Sequence, residues 1–146
     1  MFEVIEDIKP EKNDSKVLGA LAYIGTVFLG VAMSYFAIIV PLLIYLFARD
    51  DKFARFHALQ CLIVTFILIV ISMIVFTLFW LLWMLGIILS AAGDSPVIFA
   101  MFPLFFLIFA LPGIILLLLY IYWAYLAYQG KAFRLPFVTK FVLKNL

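Results

Sequence analysis

Apolar residues run almost without interruption through three long stretches of this chain, and no charged residue falls inside any of them. The stretches are residues 17–48, 58–93 and 95–130, with lengths of 32, 36 and 36 residues. A transmembrane helix needs about 20 apolar residues to cross about 30 Å of hydrocarbon. Each stretch is therefore long enough to span a membrane, and the pattern predicts transmembrane α-helices.

Composition supports the same fold class. Of 146 residues, 69% are hydrophobic and only 12% are charged, which a soluble domain of this size could not cover with polar surface. A bilayer requires every backbone polar group to be paired inside the protein, as in a helix or a closed barrel. The stretches lack the alternation of barrel strands. We therefore expect an all-α integral membrane helical bundle.

The first stretch is too long for one straight span, because 32 residues would form a helix of about 48 Å. Pro41 interrupts it, and Gly30, Ser34 and Tyr35 suit a turn before that proline. We expect two short helices that form a hairpin, which gives four spans in all. One tilted, kinked helix, giving three spans, is the alternative. The four expected spans are residues 17–33, 36–48, 58–90 and 97–129.

The basic residues predict the orientation. All ten Lys and Arg lie in residues 1–16, 49–55 and 131–146, whereas the loop around Asp94 has none. Cytoplasmic loops are enriched in Lys and Arg. We therefore expect a multi-pass protein of the cell membrane with cytoplasmic N- and C-termini. Its parts are an N-terminal tail (residues 1–16), the transmembrane domain (17–130) and a basic amphipathic C-terminal tail (131–146).

Aromatic residues near the ends of the spans suggest contact with the membrane interfaces, where Trp and Tyr are enriched. Trp80 and Trp83 are expected at the outer interface. In the C-terminal tail, Phe137 and Phe141 are one helical turn apart, which predicts a helix that lies in the interface with its rings in lipid. The aromatic residues expected at the inner interface are Tyr120, Tyr122, Trp123, Tyr125 and Tyr128.

Two groups of residues are candidates for specific contacts. Small side chains at four-residue spacing would let a neighbouring helix approach closely, and packing within the monomer is favoured over a homodimer interface; these are Ala22, Thr26, Gly30 and Ser34. The second group lies at the entrance to the third span and has either a structural role or a contact with a partner; it comprises Arg55, Phe56, His57 and Gln60.

The sequence shows no evident catalytic or metal-binding site. The single cysteine, Cys61, excludes an intramolecular disulfide, and no Cys or His cluster has metal-ligand spacing. No carboxylate lies inside a span, and no catalytic triad, metal motif or phosphate-binding loop is present. We therefore expect no cofactor and no metal, and we do not expect an enzyme.

Two motifs carry a resemblance to a known family. The sequence FARFHALQ at residues 53–60, together with GKAFRLP at residues 130–136, resembles a family of small uncharacterised archaeal and bacterial multi-pass membrane proteins. That family is distantly similar to the small channel-like component of the chloroplast inner-envelope protein import (Tic) complex. The resemblance implies a four-helix membrane domain with cytoplasmic or stromal termini. It assigns no activity to Arg55, Phe56, His57, Ala58 or Gln60.

The functional hypothesis is a subunit or scaffold of a membrane assembly related to protein translocation. A small channel or transporter is the alternative, although the spans offer few polar groups at mid-depth. The expected partners are the lipid bilayer and other membrane proteins. Nucleic acid is not expected as a partner, because the basic tail is short and largely apolar. The oligomeric state is left open.

Overall fold

The structure is a computed structural model, and it describes residues 4–91 and 97–146. The loop with Asp94, expected outside the membrane, lies beyond the described residues. The described residues form helices and no strand, which confirms the all-α prediction. The helices are α1 (Asn13–Met33), a 3₁₀ helix (Ser34–Ile38), α2 (Ile39–Phe47), α3 (Lys52–Ala91), α4 (Val97–Tyr128) and α5 (Val138–Lys144).

Helices α1 and α2 form the hairpin that the sequence predicts. The 3₁₀ helix makes the turn, and Pro41 lies in the first turn of α2, where its missing N–H breaks no helical hydrogen bond. A Cβ atom at Gly25 would lie 2.5 Å from Val40 Cγ1, so the two helices approach very closely there. Lys12 and Ala48 line the same cleft. The chain thus leaves the hairpin at the end where it entered.

Helix α3 begins at Lys52, six residues before the predicted start of the span, because Asp51 caps it. The Asp51 carboxylate accepts a hydrogen bond of 2.9 Å from the backbone N–H of Ala54. A side-chain oxygen at this position replaces the partner that the first turn of a helix lacks. The residues at 53–61 are therefore helical, and their side chains have fixed directions.

Helix α4 ends in a Schellman turn at Gly130. The N–H of Gly130 bonds to the carbonyl of Ala127, and the N–H of Lys131 bonds to that of Leu126. Gly130 has φ of 77°, a left-handed conformation that suits glycine. The turn sends residues 131–135, which we call the return segment, back across the helix bundle.

The return segment pairs with the N-terminal tail. The backbone N–H of Ile5 donates a hydrogen bond of 2.7 Å to the carbonyl of Ala132, and an isolated β-bridge joins Val4 to Phe133. Ile5, Ile8 and Ala132 also belong to one apolar cluster. The two terminal segments of the chain therefore lie side by side.

The short helix α5 is amphipathic, as the sequence predicts. Thr139 and Val142 are buried, whereas Phe137 and Phe141 are 92% and 58% exposed. Lys140 is also exposed. One face of α5 thus packs on the protein, and the other presents aromatic rings and positive charge.

The chain divides into two compact units, and each has its own character. The first, residues 1–67 and 119–146, contains most of the buried side chains. The second, residues 68–118, consists of the distal halves of α3 and α4, and α4 runs helically through Pro103 and Pro112. Within it, Phe109 packs edge-on against Phe76 and Phe79, at centroid distances of 6.2 and 5.7 Å.

Apolar exposure along the helices indicates a lipid environment. In the second unit Leu81, Ile88 and Phe106 are each more than 60% exposed. Among the described residues, three helices are long and apolar enough to cross a membrane, and the apolar segment Phe36–Phe47 is shorter. The protein is therefore a helical membrane bundle in which α2 is the short arm of the first hairpin.

Candidate functional site

One face of α1 packs tightly against the start of α3. Ser15, Gly19, Ala22 and Thr26 are buried and recur every three or four residues, so they form one stripe. A Cβ atom at Gly19 would lie 3.2 Å from ring atoms of both His57 and Phe53. The absence of a side chain at Gly19 is what lets α3 approach at this point.

The predicted ridge of small residues is divided between two surfaces. Ala22 and Thr26 contact α3: the Ala22 carbonyl accepts a hydrogen bond of 3.4 Å from Cys61 Sγ, and the Thr26 hydroxyl lies 3.3 Å from the same sulfur. Gly30 instead faces Ala37 in the 3₁₀ helix, with 3.5 Å between a Cβ built at Gly30 and that of Ala37. The side chain of Ser34 lies outside the described part of the chain. The close contacts of the first three residues are made within the monomer.

The motif at the start of α3 points into the protein. Phe53, Phe56, His57 and Gln60 are all at most 1% exposed, so nearly every direction around the helix is covered. The imidazole of His57 is surrounded by four aromatic rings. Their centroid distances to it are 4.6 Å for Phe53, 5.3 Å for Phe56, 5.4 Å for Phe133 and 5.8 Å for Tyr23.

Gln60 brings the two sequence motifs together. Its Nε2 donates a hydrogen bond of 3.3 Å to the backbone carbonyl of Phe133 in the return segment. Its Oε1 accepts one of 3.4 Å from the Tyr23 hydroxyl, which also lies 3.2 Å from Nδ1 of His57. The motifs at 53–60 and 130–136 therefore form one site, in which α3 holds the return segment.

His57 has one nitrogen without a conventional partner. Nδ1 faces the Tyr23 hydroxyl, whereas Nε2 is buried and makes no hydrogen bond of normal geometry. The backbone of Lys131 nevertheless lies close enough to interact with the ring. A weak or bent contact of this kind stabilises a buried N–H only partly.

Arg55 lies at the edge of this site. Its guanidinium carbon is 5.0 Å from the centre of the Tyr45 ring, a cation–π contact with α2. Its Nε is buried without a hydrogen-bond partner. Arg55 therefore helps to join α3 to the first hairpin, and Phe56 and His57 beside it face the core.

A chain of hydroxyl and thiol groups continues from this site towards α4. The Thr26 hydroxyl donates to the carbonyl of Ala22 at 2.7 Å and lies 3.3 Å from the sulfur of Cys61. Cys61 Sγ also lies 3.9 Å from the Thr65 hydroxyl, which is 2.9 Å from that of Tyr120. The chain of contacts ties α1, α3 and α4 together.

The aromatic residues expected at the inner interface form two groups. Tyr120 and Trp123 are each 5% exposed and pack in the core, whereas Tyr122, Tyr125 and Tyr128 are about half exposed or more. The interpretation of all five as interface anchors is therefore wrong for the first two. Helical spacing offers the reason, because one face of α4 is buried along its C-terminal end. That face comprises Tyr120, Trp123, Ala124 and Ala127.

Sequence reasoning also missed Tyr23 and Phe133 as members of the site. Both are fully buried, with 6.0 Å between their ring centroids. Tyr23 is one of several polar groups in the first apolar stretch, and its position three residues before Thr26 was the available signal. Phe133 comes from a segment whose folding back depends on the Gly130 turn, which the sequence shows only as one glycine.

The polar groups of the site contact one another inside the protein, which limits the chemistry that they can perform. Its hydroxyl, amide and thiol groups contact one another, and the described residues contain no group of three or more His, Cys, Asp or Glu that could hold a metal ion. Buried polar groups that are paired internally stabilise a unique packing arrangement. The arrangement joins three helices and the return segment.

Comparison with known proteins identifies the family. Residues 14–142 match the model of the magnetosome magnetite crystal formation protein family (MamF/MmsF). Neither a curated protein nor a solved structure matches the chain significantly. The match covers both motifs and, apart from Asn13, the helices α1 to α4.

This match corrects the resemblance drawn from the motifs at residues 53–60 and 130–136. The chain is not assigned to relatives of the chloroplast import component, and a link to protein translocation has no support. The aromatic and small residues of the two motifs pack against one another in the core. The chain belongs to the magnetosome magnetite crystal formation protein family, a family of membrane proteins.

Proposed function

We propose that this chain is a non-enzymatic scaffold subunit of a membrane in which a mineral crystal forms. The description of its family refers to the formation of magnetite crystals in magnetosomes. The observation that carries the scaffold role is the buried polar network around Tyr23, His57, Gln60 and Cys61. Apart from Nε2 of His57, the polar groups of this network contact one another, which favours a rigid shape over chemistry on a substrate.

The rest of the structure is consistent with this role. The first unit is a packed module that carries both terminal segments, and the second is an apolar pair of helices suited to lipid. A scaffold needs these two properties, namely a rigid surface for neighbouring proteins and firm insertion in the bilayer. The internal contacts of Phe56, His57 and Gln60 favour a structural role for the motif over a direct partner contact.

The structure gives no support to the channel or transporter alternative. Transport sites in membranes generally use polar groups or broken helices at mid-depth. Among the described side chains of residues 68–118, the hydroxyls of Ser72 and Thr77 donate to carbonyls of their own helix. Both hydroxyls are thus paired within α3.

The orientation with both termini in the cytoplasm is part of this proposal. The hydrogen bond between Ile5 and Ala132 requires the two terminal segments to lie on the same side of the membrane. The chain therefore crosses the membrane an even number of times. If α3 and α4 each cross once, the hairpin of α1 and α2 must also contribute an even number of crossings. We therefore favour four spans over three, with α1 and α2 as a complete hairpin.

The proposal can be tested in a magnetite-forming bacterium from which its own members of this family have been deleted. We expect the introduced chain to change the size of the crystals seen by electron microscopy, and crosslinking in isolated membranes to capture the same partner proteins repeatedly. The double variant His57→Ala/Gln60→Leu should lose both effects. Ser72→Ala, which changes an exposed hydroxyl, should keep them.

Two results would contradict the scaffold role. One is wild-type protein that inserts at normal levels while crystal size is unchanged and no partner is captured. The other is ion conductance by the purified chain alone in liposomes, which would support a channel.

A further inference from the structure

A narrow cleft separates α5 from the end of the return segment. Among the described residues, the chain between positions 134 and 143 forms its lining, and its volume is about 170 Å³. Four of the lining residues are apolar, namely Leu135, Pro136, Phe137 and Leu143. The exposed surface inside the cleft is almost wholly apolar, which suits a ligand without charge.

The polar side chains beside the cleft do not favour a charged ligand. The Thr139 hydroxyl accepts a hydrogen bond of 2.7 Å from the backbone N–H of Leu135, and Arg134 already interacts within the protein. Lys140 is exposed. A lysine at the edge of an apolar surface extends its ammonium group into polar surroundings while its methylene stem stays on that surface. The described lining therefore favours a hydrocarbon chain over an anion.

The acidic N-terminal tail lies near the return segment. Val4 pairs with Phe133, and the carboxylates of Glu6 and Asp7 are exposed. Among the described residues of the tail, 4–12, none lines the cleft. Negative charge at this distance would repel an anion, whereas it leaves the binding of an uncharged acyl chain unaffected.

The packing of α5 on α3 places the cleft at the edge of the hydrocarbon. Val142 of α5 and Leu59 of α3 belong to one apolar cluster, against which Val138 and Ile63 also pack. Leu59 and Ile63 lie in the stretch 58–93, which contains no charged residue. Helix α3 is long and apolar enough to cross a membrane. A helix that packs beside the start of a span lies at the depth of that start.

The backbone holds an aromatic ring outward beside this cleft. Phe137 is 92% exposed and has φ of 66°, a left-handed conformation that bulky residues rarely adopt. Strain of this kind persists only where the surrounding structure enforces it. Here the N–H of Val138 bonds to the carbonyl of Pro136 at 2.8 Å, and Leu135 and Thr139 on either side are buried. An apolar ring held outward in this way is favourable where hydrocarbon surrounds it.

We propose that this cleft holds one acyl chain of a membrane lipid. The acyl chain lies between α5 and the return segment, against Leu135 and Leu143, and the exposed rings of Phe137 and Phe141 enter the hydrocarbon beside it. A chain in a groove gains lasting van der Waals contacts on several sides, which a chain in fluid lipid lacks. The headgroup takes no part, so a zwitterionic lipid is sufficient. The site is independent of the role in mineral formation, since it requires only a bilayer.

The first test uses the full chain reconstituted in nanodiscs of phosphatidylcholine. After extraction into mild detergent, native mass spectrometry measures how much lipid stays bound. We expect the wild type to retain one phosphatidylcholine per chain, and Leu143→Trp, whose larger ring fills the cleft, to lower this retention about fivefold through lost van der Waals contacts. The matched control is Leu46→Trp on α2, which should retain the lipid. Leu143 and Leu46 are 44% and 47% exposed, so both variants should keep the wild-type thermal midpoint in detergent.

A second measurement tests the surroundings of the cleft without filling it. On a Cys61→Ser background, a nitroxide label attached at Phe137→Cys in phosphatidylcholine vesicles should collide more with oxygen, which dissolves in hydrocarbon, than with a water-soluble nickel chelate. The same label at Lys9→Cys in the N-terminal tail should show the reverse.

Four results would overturn the proposal. In mass spectrometry they are full retention of lipid by Leu143→Trp, or equal loss in Leu46→Trp, which would indicate unspecific boundary lipid. In the labelling experiment they are access of the nickel chelate to position 137 as free as to position 9, or spin–spin broadening at 137 that disappears on dilution with unlabelled chain. The last result would show that a second copy of the chain covers this face.

Discussion

Single polar residues set the alignment of the helices in the first unit. In an apolar interior a hydroxyl, thiol or amide is costly unless it has a hydrogen-bond partner. Thr65 finds its partner in Tyr120, 55 residues along the chain, at 2.9 Å. Gln60 reaches Phe133 across 73 residues. Sliding one helix past another would break these contacts, so a few polar groups specify the register that apolar packing alone would leave loose.

Replacing Gln60 by leucine tests this at the residue scale. Gln60→Leu keeps the volume but leaves the Phe133 carbonyl without its side-chain donor and removes one contact of the Tyr23 hydroxyl. We expect a loss of about 1–2 kcal/mol in the free energy of unfolding, as for polar contacts between membrane helices. Unfolding in mixed detergent micelles measures it.

Ser72→Ala is the control for this measurement. The Ser72 hydroxyl is exposed and bonds only to the carbonyl of Ile69 in its own helix. We expect a change of less than about 0.5 kcal/mol. Equal effects of the two substitutions would show that Gln60 has no special place in the packing.

At the scale of elements, glycine determines how closely the helices approach. Gly19 admits the rings of His57 and Phe53, and Gly25 admits Val40. Small residues allow van der Waals contact between helices, which must replace the hydrophobic driving force that lipid does not provide. The hairpin α1–α2 and the contact of α1 with α3 therefore depend on two positions that are six residues apart.

Adding one methyl group at Gly25 should separate α1 from α2. In Gly25→Ala the new Cβ atom would lie 2.5 Å from Val40 Cγ1, and the helices must shift. We expect destabilisation of about 1–3 kcal/mol, the usual range for overpacking, measured as a lower thermal midpoint in detergent.

Gly113→Ala provides the matched control, because no atom lies within 4 Å of a Cβ built at Gly113. Here the higher helix propensity of alanine should leave stability unchanged or raise it by up to about 1 kcal/mol. If Gly25→Ala were tolerated equally well, the close approach of α1 and α2 would not be a requirement of the fold.

At the scale of the whole molecule, the two ends of the chain meet. The N-terminal tail pairs with the return segment, and the first hairpin brings residues 47–51 back beside residues 11–15. These contacts support a topology in which the tails and the loop at residues 49–55 share one side of the membrane. The positive-inside rule independently favours the cytoplasm for that side.

Thiol labelling in intact cells checks this topology. On a Cys61→Ser background, single cysteines replacing Lys9, Lys52 and Asn145 should be protected from an impermeant reagent added outside, because the proposed orientation puts them in the cytoplasm. A cysteine replacing Asp94 should be labelled. Disruption of the cells should expose all four positions. Labelling at position 9 with protection at position 52 in intact cells would mean that residues 17–48 cross only once.

The sequence by itself determined the environment and the helical fold of this protein. The absence of charge over 32 to 36 residues leaves a bilayer as the only suitable solvent, and in a bilayer the backbone must pair within helices. Pro41 and the small residues before it likewise predicted the hairpin. These conclusions rest on local composition, which is complete in the sequence.

Only the tertiary structure decided which residues form the site. Tyr120 and Trp123 have the composition of interface anchors, yet they are buried because their face of α4 meets α1 and the return segment. Phe133, 73 residues after Gln60, contacts His57 because one left-handed turn at Gly130 folds the return segment back. Such contacts depend on how distant segments meet. In a chain that is apolar almost throughout, the sequence cannot distinguish a residue facing lipid from one facing protein, because both environments favour the same side chains.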